Sequence, residues 1–346
     1  MVMVGHRRPE VQVRSIDWVD DQVVLLDQTR LPREERWLAV TTVDELVDAI
    51  RRLAVRGAPL LGAAGALGVL LAVQEAEQEG WDDSRLRTAV AQLRAARPTA
   101  VNLARGVDRV MARLPEGPMA VKDEALRVLA EDRDVNRAIG AAGARLIIDL
   151  VDTYRLRIYT HCNAGALACV EWGTALGVVH SLSTLDRLGS VYVGETRPLL
   201  QGSRLTAWEL ERLGADYQIV VDGAGPGVVA GGMVDAVVVG ADRIAANGDV
   251  VNKVGTFPLA LAAARVGLPF VVAAPESTVD AETPSGADVP IELRSQDEVL
   301  AIGELRIAPT GARGLNPAFD VTPADLVTAL VTERRVVRPA AGETPA

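Results

Sequence analysis

A cysteine lies where a predicted strand gives way to a predicted helix, in the segment 160–168 with the sequence Thr-His-Cys-Asn-Ala-Gly-Ala-Leu-Ala. The run 157–160 predicts a buried strand, and the small and apolar residues from Ala164 onward predict a helix through about Val179. Free N–H groups and the helix dipole at such a junction favour a thiolate. Cys162 is therefore a candidate reactive thiol. The alternative is a buried structural cysteine, because free cysteines are among the residues most often buried.

The second cysteine fits the structural alternative. Cys169 falls inside the same predicted helix, between apolar neighbours, and is predicted to lie in the core. The 346 residues include 2 cysteines and 3 histidines, which are His6, His161 and His180. Their spacing suits neither a zinc site nor a disulfide framework, which predicts a reducing compartment and no metal. Any catalysis is therefore expected to use the thiol, the carboxylates and the basic side chains.

Length and charge narrow the class of protein. A chain of 346 residues exceeds what one hydrophobic core usually organises, so two domains are expected. The formal net charge of -10 and the sequence pI near 5.0 disfavour nucleic acid or an anionic membrane as a partner. The basic N-terminus has no apolar region behind it, which predicts no secretory signal and a cytoplasmic protein. The apolar run 58–73 is too short to span a membrane and suits a buried helix.

The first part of the chain changes from strand to helix patterns. Residues 12–40 alternate as strands around an Asp20-Asp21 turn, which predicts a small antiparallel sheet. Thr42 and Glu45 have the spacing of a capping box, and helical patterns then continue to about residue 150. Pro59 marks the first turn of one of these helices.

The second half alternates short apolar strands with helices, a rhythm typical of a parallel sheet. The predicted strands are 157–160, 190–193, 218–221, 235–240 and 270–274. The predicted fold class is therefore α/β. A smaller N-terminal domain of a short antiparallel sheet plus helices (1–122) precedes a Rossmann-like parallel-sheet C-terminal domain (123–346).

Polar side chains follow each predicted strand of the second half. In parallel sheets ligands bind at the carboxyl ends of the strands, so one crevice is expected to receive these groups. They are Cys162, Glu195-Thr196-Arg197-Pro198, Asp222-Gly223, Asp242-Arg243 and Glu276-Ser277-Thr278. Each cluster taken singly is also compatible with ordinary loop polarity or a helix N-cap. The glycines at 223, 225 and 227 lack the G-x-G-x-x-G spacing, which disfavours a nicotinamide cofactor.

Asp242 belongs to a compact polar segment that ends in Asn252-Lys253-Val254-Gly255-Thr256. A carboxyl at the end of an apolar strand can have a pKa raised by desolvation and act as a general acid. Lys253 and the backbone at Gly255 and Thr256 suit an anion such as phosphate. The alternative is an Asp242–Arg243 ion pair with Lys253 on a solvated surface.

Six segments, in order from about residue 15 to 335, resemble the methylthioribose-1-phosphate isomerase family, whose fold is shared by the alpha, beta and delta subunits of the translation-initiation exchange factor. They are Val55-Arg56-Gly57-Ala58-Pro59, the segment 97–103, the segment 160–165, Glu195-Thr196-Arg197-Pro198 with the segment 201–210, the segment 239–255, and Asn316-Pro317-Ala318-Phe319-Asp320-Val321-Thr322-Pro323.

The resemblance assigns roles by position. It implies that Cys162 and Asp242 are catalytic and that a second set of residues contacts the substrate. That set is Arg56, Gly57, Ala58, Arg97, Gln201, Asn252 and Lys253. Two positions depart from the family pattern. Gly194 stands where an acidic residue is expected before the Glu-Thr-Arg-Pro motif. Asp222-Gly223-Ala224-Gly225-Pro226 stands where the family usually has Asp-Asn-Met or Asp-Asn-Ser, which leaves the substituent at the sugar C5 open.

The resemblance implies a cofactor-independent aldose–ketose isomerase of methionine salvage that binds a sugar phosphate and forms a homodimer. A phosphate on the anomeric oxygen blocks spontaneous opening to an aldehyde, so the ring must be opened by acid. Asp242 is expected to protonate the ring oxygen while Cys162 moves the C2 proton to C1 or assists a hydride shift. The alternatives are an isomerase of ribose 1,5-bisphosphate or 5-deoxyribose 1-phosphate, and a non-catalytic regulatory subunit of the exchange factor. Retention of Cys162 with Asp242 favours the enzyme.

Overall fold

The computed structural model describes residues 13–98 and 100–346. Thr99, His6 and the N-terminal segment on which the expectation of no secretory signal rests lie outside the described residues. The chain forms two compact units, of which one comprises Met1–Asn136 with Gly165–Gly173 and the other Arg137–Ala164 with Thr174–Ala346. The expected boundary between residues 122 and 123 falls within a long helix and stays a prediction.

The helices and strands are numbered separately in chain order. The α-helices are α1 (Val43–Arg51), α2 (Ala58–Glu79), α3 (Asp83–Arg94), α4 (Val101–Met111), α5 (Pro118–Leu150), α6 (Ala175–Thr184), α7 (Ala207–Leu213), α8 (Gly225–Ala230), α9 (Thr256–Val266) and α10 (Asp297–Leu300). The strands are β1 (Ile16–Val19), β2 (Gln22–Leu26), β3 (Trp37–Val40), β4 (Leu156–His161), β5 (Leu188–Gly194), β6 (Tyr217–Val220), β7 (Ala236–Val239), β8 (Arg243–Ala245), β9 (Val250–Lys253), β10 (Phe270–Ala273), β11 (Val279–Asp280), β12 (Ala301–Ile302), β13 (Leu305–Arg306), β14 (Phe319–Thr322), β15 (Ala329–Val331) and β16 (Val336–Val337).

The first unit begins with the predicted antiparallel sheet, in the order β1-β2-β3. Asp20 and Asp21 form the turn between β1 and β2, both with positive φ. The predicted capping box is confirmed, because the Thr42 hydroxyl accepts a hydrogen bond from the Glu45 backbone N–H and the Glu45 carboxylate accepts one from the Thr42 backbone N–H. These short-range patterns fold as the sequence predicts because every partner is a near neighbour in the chain.

Helix α2 is the central helix of the first unit. Its side chains from Leu60 to Val73 are almost all buried, which confirms the prediction of an interior helix. Its glycines permit close packing on α4, since a Cβ on Gly106 would lie 2.1 Å from the carbonyl oxygen of Gly62. The helix is long and apolar enough to cross a membrane, but 72% of its most apolar window is buried inside the fold.

The second unit contains the predicted parallel sheet. Its seven strands have the order β16-β15-β10-β7-β4-β5-β6, and all neighbours are parallel except the β15–β16 pair. All five strands predicted in this half are present, which confirms the Rossmann-like prediction. Strands β7 and β10 are buried along their whole length and so read as continuous apolar runs.

A second sheet, which the sequence did not predict, carries part of the candidate site. It has four strands in the order β11-β8-β9-β14, and β9 pairs antiparallel with both β8 and β14. Strands β12 and β13, which lie between β11 and β14 in sequence, pair with each other in a separate two-stranded sheet. The β8–β9 hairpin turns at Asn247-Gly248, with Gly248 at φ +91°.

The prediction of a continuous helix from Ala164 through Val179 is wrong. Residues 166–168 form one turn of 3-10 helix, and α6 begins only at Ala175. The segment Gly165–Gly173 belongs to the first unit, where the Ser15 hydroxyl donates to the carbonyl of Ala166 (2.6 Å) and the Gln28 amide donates to that of Leu167 (2.7 Å). These tertiary partners satisfy the backbone groups that a continuous helix would pair internally.

Candidate active site

Cys162 follows β4 in a tightly held turn. Its φ is +62°, a left-handed value uncommon outside glycine. Its backbone N–H donates to the Thr196 hydroxyl (2.9 Å), and its carbonyl accepts from the Thr206 hydroxyl (2.6 Å). Because the helix start expected directly after Cys162 is absent, these two threonines, rather than a helix N-terminus, fix the position of the cysteine.

The segment after β5 supplies both threonines. Thr196 is fully buried, has φ +68°, and its hydroxyl donates to the carbonyl of Gly194 (2.8 Å). Thr206 ends a five-residue π-helix, Gly202–Thr206, that leads into α7. Short π-helices are rare in proteins overall, but those that occur often lie at functional sites. Residues with strained backbone also cluster at such sites, so the Cys162 and Thr196 turns agree with the predicted crevice.

The π-helix is preceded by Gln201, one of the predicted substrate-contacting residues. Gln201 is 8% exposed, and its side-chain carbonyl oxygen is buried without a hydrogen-bond partner among the described residues. A buried amide oxygen without a donor is costly, and a hydroxyl of a bound ligand would satisfy it. Asn163 lies beside this segment, where its amide donates to Glu209 (2.7 Å) and Thr206 (3.2 Å).

Asp222, at the end of β6, organises the Glu-Thr-Arg-Pro motif from a distance in sequence. Its carboxylate accepts the backbone N–H groups of Thr196 (2.8 Å) and Arg197 (2.6 Å). The Arg197 guanidinium donates to the carbonyl oxygens of Pro198 (3.0 Å) and Val299 (3.0 Å), so it holds backbone in place. This cluster is structural support for the Cys162 turn.

The structure explains two of the departures from the family pattern. A Cβ on Gly194 would lie 2.6 Å from His161 Nδ1, so the backbone as it stands excludes an acidic residue there. A Cβ on Gly225 would lie 2.4 Å from the Tyr159 hydroxyl, which requires glycine at that position too. A Cβ on Gly223, in contrast, would meet no atom of the described residues within 4 Å.

Asp242 follows β7, the neighbour of β4 in the sheet. The pairing of Tyr159 with Val237, continued along both strands, brings Cys162 level with Gly240, and the two segments touch where a Cβ on Gly240 would lie 2.9 Å from Ala164 Cβ. The Asp242 backbone N–H donates to the carbonyl of Val251 (3.0 Å), and the residue is exposed rather than buried. Because Asp242 is exposed, the residues around it do not remove its carboxyl from water in the way that the sequence predicted.

The segment from Asn252 to Thr256 forms a closed turn between β9 and α9. The Asn252 amide donates to the Thr256 hydroxyl (3.0 Å), which in turn donates to the carbonyl of Lys253 (2.7 Å). The Lys253 ammonium donates to the carbonyl of Ala318 (3.0 Å) and lies 5.0 Å from the Phe319 ring centroid. Lys253 is half-buried, not on the solvated surface that the alternative predicted.

The backbone N–H groups that were expected to bind phosphate already donate to a carboxylate of the protein. The Asp320 carboxylate accepts the N–H groups of Gly255 (2.7 Å) and Phe257 (3.1 Å) at the start of α9. Burial raises the pKa of Asp320 to about 6, while these hydrogen bonds and Lys253 oppose the rise. Within this turn a phosphate would therefore meet the Lys253 side chain rather than the helix N-terminus.

Four predicted substrate-contacting residues lie in the first unit. Gly57 is the N-cap of α2, has φ +103°, and a Cβ there would lie 2.6 Å from Ala168 Cα. Ala58 is the first residue of the helix, and the Arg56 guanidinium donates to the Gln28 side chain (3.0 Å). A glycine N-cap leaves N–H groups of the first turn for an anion. Arg97 lies in the turn between α3 and α4, half-buried.

Other groups are used elsewhere in the fold. Glu276, after β10, binds the Thr332 hydroxyl (2.8 Å) and Arg335, and Arg243 pairs with Asp280 (3.3 Å). Cys169 is 1% exposed, which confirms it as core, although its sulfur has a polar neighbour in Asn136 Oδ1 at 3.6 Å. Among residues 13–98 and 100–346, no group of three or more His, Cys, Asp or Glu is arranged to hold a metal ion. The roles of Thr206, Asp222 and Asp320 were missed, because each acts on backbone far away in sequence.

Comparison with known proteins gives the family. Residues 54–339 match the Initiation factor 2 subunit family, IF-2B. A methylthioribose-1-phosphate isomerase of Anaeromyxobacter sp. (strain K) is 54% identical over 92% of this chain and 91% of its own length. A probable bifunctional methylthioribose-1-phosphate isomerase/methylthioribulose-1-phosphate dehydratase of Nocardia farcinica is 50% identical over 93% of this chain, which spans only 59% of that protein.

Two crystal structures share the fold over most of the chain. That of 5-methylthioribose 1-phosphate isomerase from Pyrococcus horikoshii has a TM-score of 0.86 and 39% identity, covering 94% of this chain and 92% of the other. That of the translation initiation factor eIF-2B, subunit delta, from A. fulgidus has a TM-score of 0.83 and 44% identity, covering 94% and 96%. The chain therefore belongs to the Initiation factor 2 subunit family and, within it, to the group of the methylthioribose-1-phosphate isomerases.

Proposed function

We propose that this protein is an aldose–ketose isomerase that converts 5-methylthioribose 1-phosphate to 5-methylthioribulose 1-phosphate in methionine salvage. The observation that carries the proposal is the position of Cys162 and Asp242 at the carboxyl ends of the neighbouring parallel strands β4 and β7. Ligands of such sheets bind at this edge. Relatives about 50% identical over most of their length carry the same activity in their names.

The reaction opens the ring under general acid catalysis. Asp242, protonated, donates its proton to the ring oxygen as the bond between that oxygen and C1 breaks. The Cys162 thiolate takes the proton from C2, which leaves an enol with a double bond between C1 and C2. The thiol then returns the proton to C1, and the Asp242 carboxylate takes the proton of the C2 hydroxyl as the ketone forms. Both groups end in their starting states, and no electron carrier is consumed.

A hydride shift uses the same two residues differently. In that route Asp242 again protonates the ring oxygen as its bond to C1 breaks, and the hydrogen of C2 moves with its electron pair to C1. The C2 hydroxyl then gives its proton to the Asp242 carboxylate as the ketone forms, and Cys162 stabilises the migration instead of carrying a proton. The turn that holds Cys162 by Thr196 and Thr206 supports either route, because both require a fixed sulfur beside the reacting carbons. The two routes are separated by the isotope experiment described in the Discussion.

The substrate-contacting roles are part of the proposal. Lys253, Arg56 and Arg97 supply positive charge for the phosphate, and the start of α2 at Gly57 and Ala58 supplies N–H groups. Gln201 would donate or accept at a sugar hydroxyl, which its unpaired carbonyl oxygen supports. Asn252 holds the Lys253 turn closed through Thr256. Binding energy from the phosphate can then orient C1 and C2.

Assays with three sugar phosphates test the proposal. Purified protein is incubated with 5-methylthioribose 1-phosphate, 5-deoxyribose 1-phosphate and ribose 1,5-bisphosphate, and ketose phosphate is measured. We expect the highest kcat/KM on the methylthio sugar. Turnover of none of the three would refute the enzyme and favour the binding role of a regulatory subunit, which the similarity to the A. fulgidus protein keeps as the second candidate.

Assembly and location complete the proposal. We expect a homodimer, since closed two-fold pairs are the commonest assembly of soluble chains. Strand β6 lies at the edge of the seven-stranded sheet and exposes Ile219, with Val221 exposed directly after it, an apolar edge that a partner could cover. We expect a cytoplasmic location, where a sugar phosphate substrate is available.

A further inference from the structure

His161, the last residue of β4, contacts the turn that holds Lys253. Its Nε2 lies 2.8 Å from the carbonyl oxygen of Val254. A carbonyl oxygen only accepts hydrogen bonds, so Nε2 carries the hydrogen and donates it. The other ring nitrogen, Nδ1, lies 4.0 Å from Asp222 Oδ1. The side chain is 2% exposed.

Two glycines fix the plane of this ring. A Cβ on Gly255 would lie 2.7 Å from His161 Nε2, and a Cβ on Gly194 would lie 2.6 Å from Nδ1. Gly255 has φ +106°, a value that also favours glycine. The ring therefore sits in a slot that admits one orientation, and the donor of the hydrogen bond cannot turn away from Val254.

The charge of the ring indicates which role it can take. Burial lowers the pKa of His161, with Lys253 lowering it further, while the Val254 carbonyl and Asp222 oppose the change. The imidazole is thus neutral near neutral pH. Its one hydrogen is already committed to a backbone carbonyl, so His161 is not placed as an acid or base for the substrate.

The contact joins two segments of the proposed site. His161 directly precedes Cys162, and Val254 directly follows Lys253. We propose that His161 is a positioning residue, whose Nε2–H bond to Val254 keeps the phosphate-binding lysine in fixed register with the cysteine. The inference rests on the proposed function for its substrate. It adds a mechanical link between the two segments. Phosphate bound at Lys253 affects the position of the Cys162 turn through this one hydrogen bond.

Two amides that differ only in reach test this link. In His161→Gln the amide nitrogen can occupy the place of Nε2 and donate to Val254, whereas in His161→Asn it reaches only the place of Nδ1. We expect His161→Asn to lower kcat by roughly tenfold to a hundredfold, with a smaller change in KM, because the phosphate still binds but the sugar carbons are misaligned. His161→Gln is expected to stay within about threefold of the unmodified protein. His180→Gln, on α6, is the control.

Alkylation of Cys162 gives a readout that does not need turnover. In a Cys169→Ala background, iodoacetamide modification is timed with and without inorganic phosphate. We expect phosphate to change the rate in the parent and in His161→Gln, and to change it by less than half as much in His161→Asn. Equal kinetics of the two amide variants, or an equal phosphate effect in both, would overturn the link. Absence of turnover in the parent protein would instead refute the isomerase activity, and the alkylation experiment would still test the link between Lys253 and Cys162.

Discussion

Asp132 gives a stability prediction whose size follows from its surroundings in the first unit. It lies on α5, where its carboxylate accepts the backbone N–H of Val170 (2.7 Å) and the side-chain amide of Asn136 (3.0 Å). Burial of the carboxyl raises the pKa of Asp132 from 3.8 to about 7, and the nearby Glu171 adds to the rise. The two hydrogen bonds oppose it but do not cancel it.

The sign of the effect follows from proton binding. Between pH 3.8 and 7 the unfolded chain has lost this proton and the folded chain has kept it, so the free energy of unfolding falls as pH rises. The whole difference corresponds to about 4 kcal/mol, at 1.36 kcal/mol for each pH unit. Above pH 7 the loss is complete and constant. Asp132→Asn removes the titration and keeps an oxygen for both hydrogen bonds.

Thermal unfolding of matched variants measures this. Relative to the parent, we expect Asp132→Asn to gain about 2 kcal/mol between pH 5.5 and pH 8.5, or on the order of 3 °C in Tm for a chain of this length. Using the difference between variants removes the titration of every other group. Asp134→Asn, an exposed position on the same helix, is the control and should show no such gain. A Tm difference for Asp132→Asn that is constant across this pH range would refute the assigned cause.

The remaining predictions concern the proposed reaction and assembly. Cys162→Ser and Asp242→Asn should each lower kcat by about a hundredfold or more while circular dichroism stays unchanged, and near-normal turnover in a folded variant would remove that residue from the mechanism. Cys169→Ala should leave the chemical step almost intact, because its sulfur lies in the core. Reaction in deuterated water should place deuterium at C1 of the product if Cys162 exchanges its proton with solvent; product without deuterium, read by NMR, would contradict that exchange. Light scattering at micromolar concentration should give the mass of a dimer, and a monomer mass would refute the proposed assembly.

The sequence by itself determined the features that depend on near neighbours. The Thr42 capping box, the Asp20-Asp21 turn and the five parallel strands all follow from residues a few positions apart. The location of the polar residues at one edge of the sheet follows as well, because parallel strands end on the same side. The sequence therefore predicts that Cys162 and Asp242 lie at the same edge of the sheet, whereas the pairing of β4 with β7 as direct neighbours comes from the structure.

Only the tertiary structure decided how those residues are held. The composition of the segment 164–179 favours a helix, yet Ser15 and Gln28 capture its backbone in the first unit and end the helical pattern. Asp320 reaches the start of α9 across 65 positions, and Asp222 fixes the turn at Thr196 across 26. Such bonds join groups whose separation in sequence carries no periodic signal. They form because buried backbone N–H and carbonyl groups must find partners wherever the packing of the chain brings them.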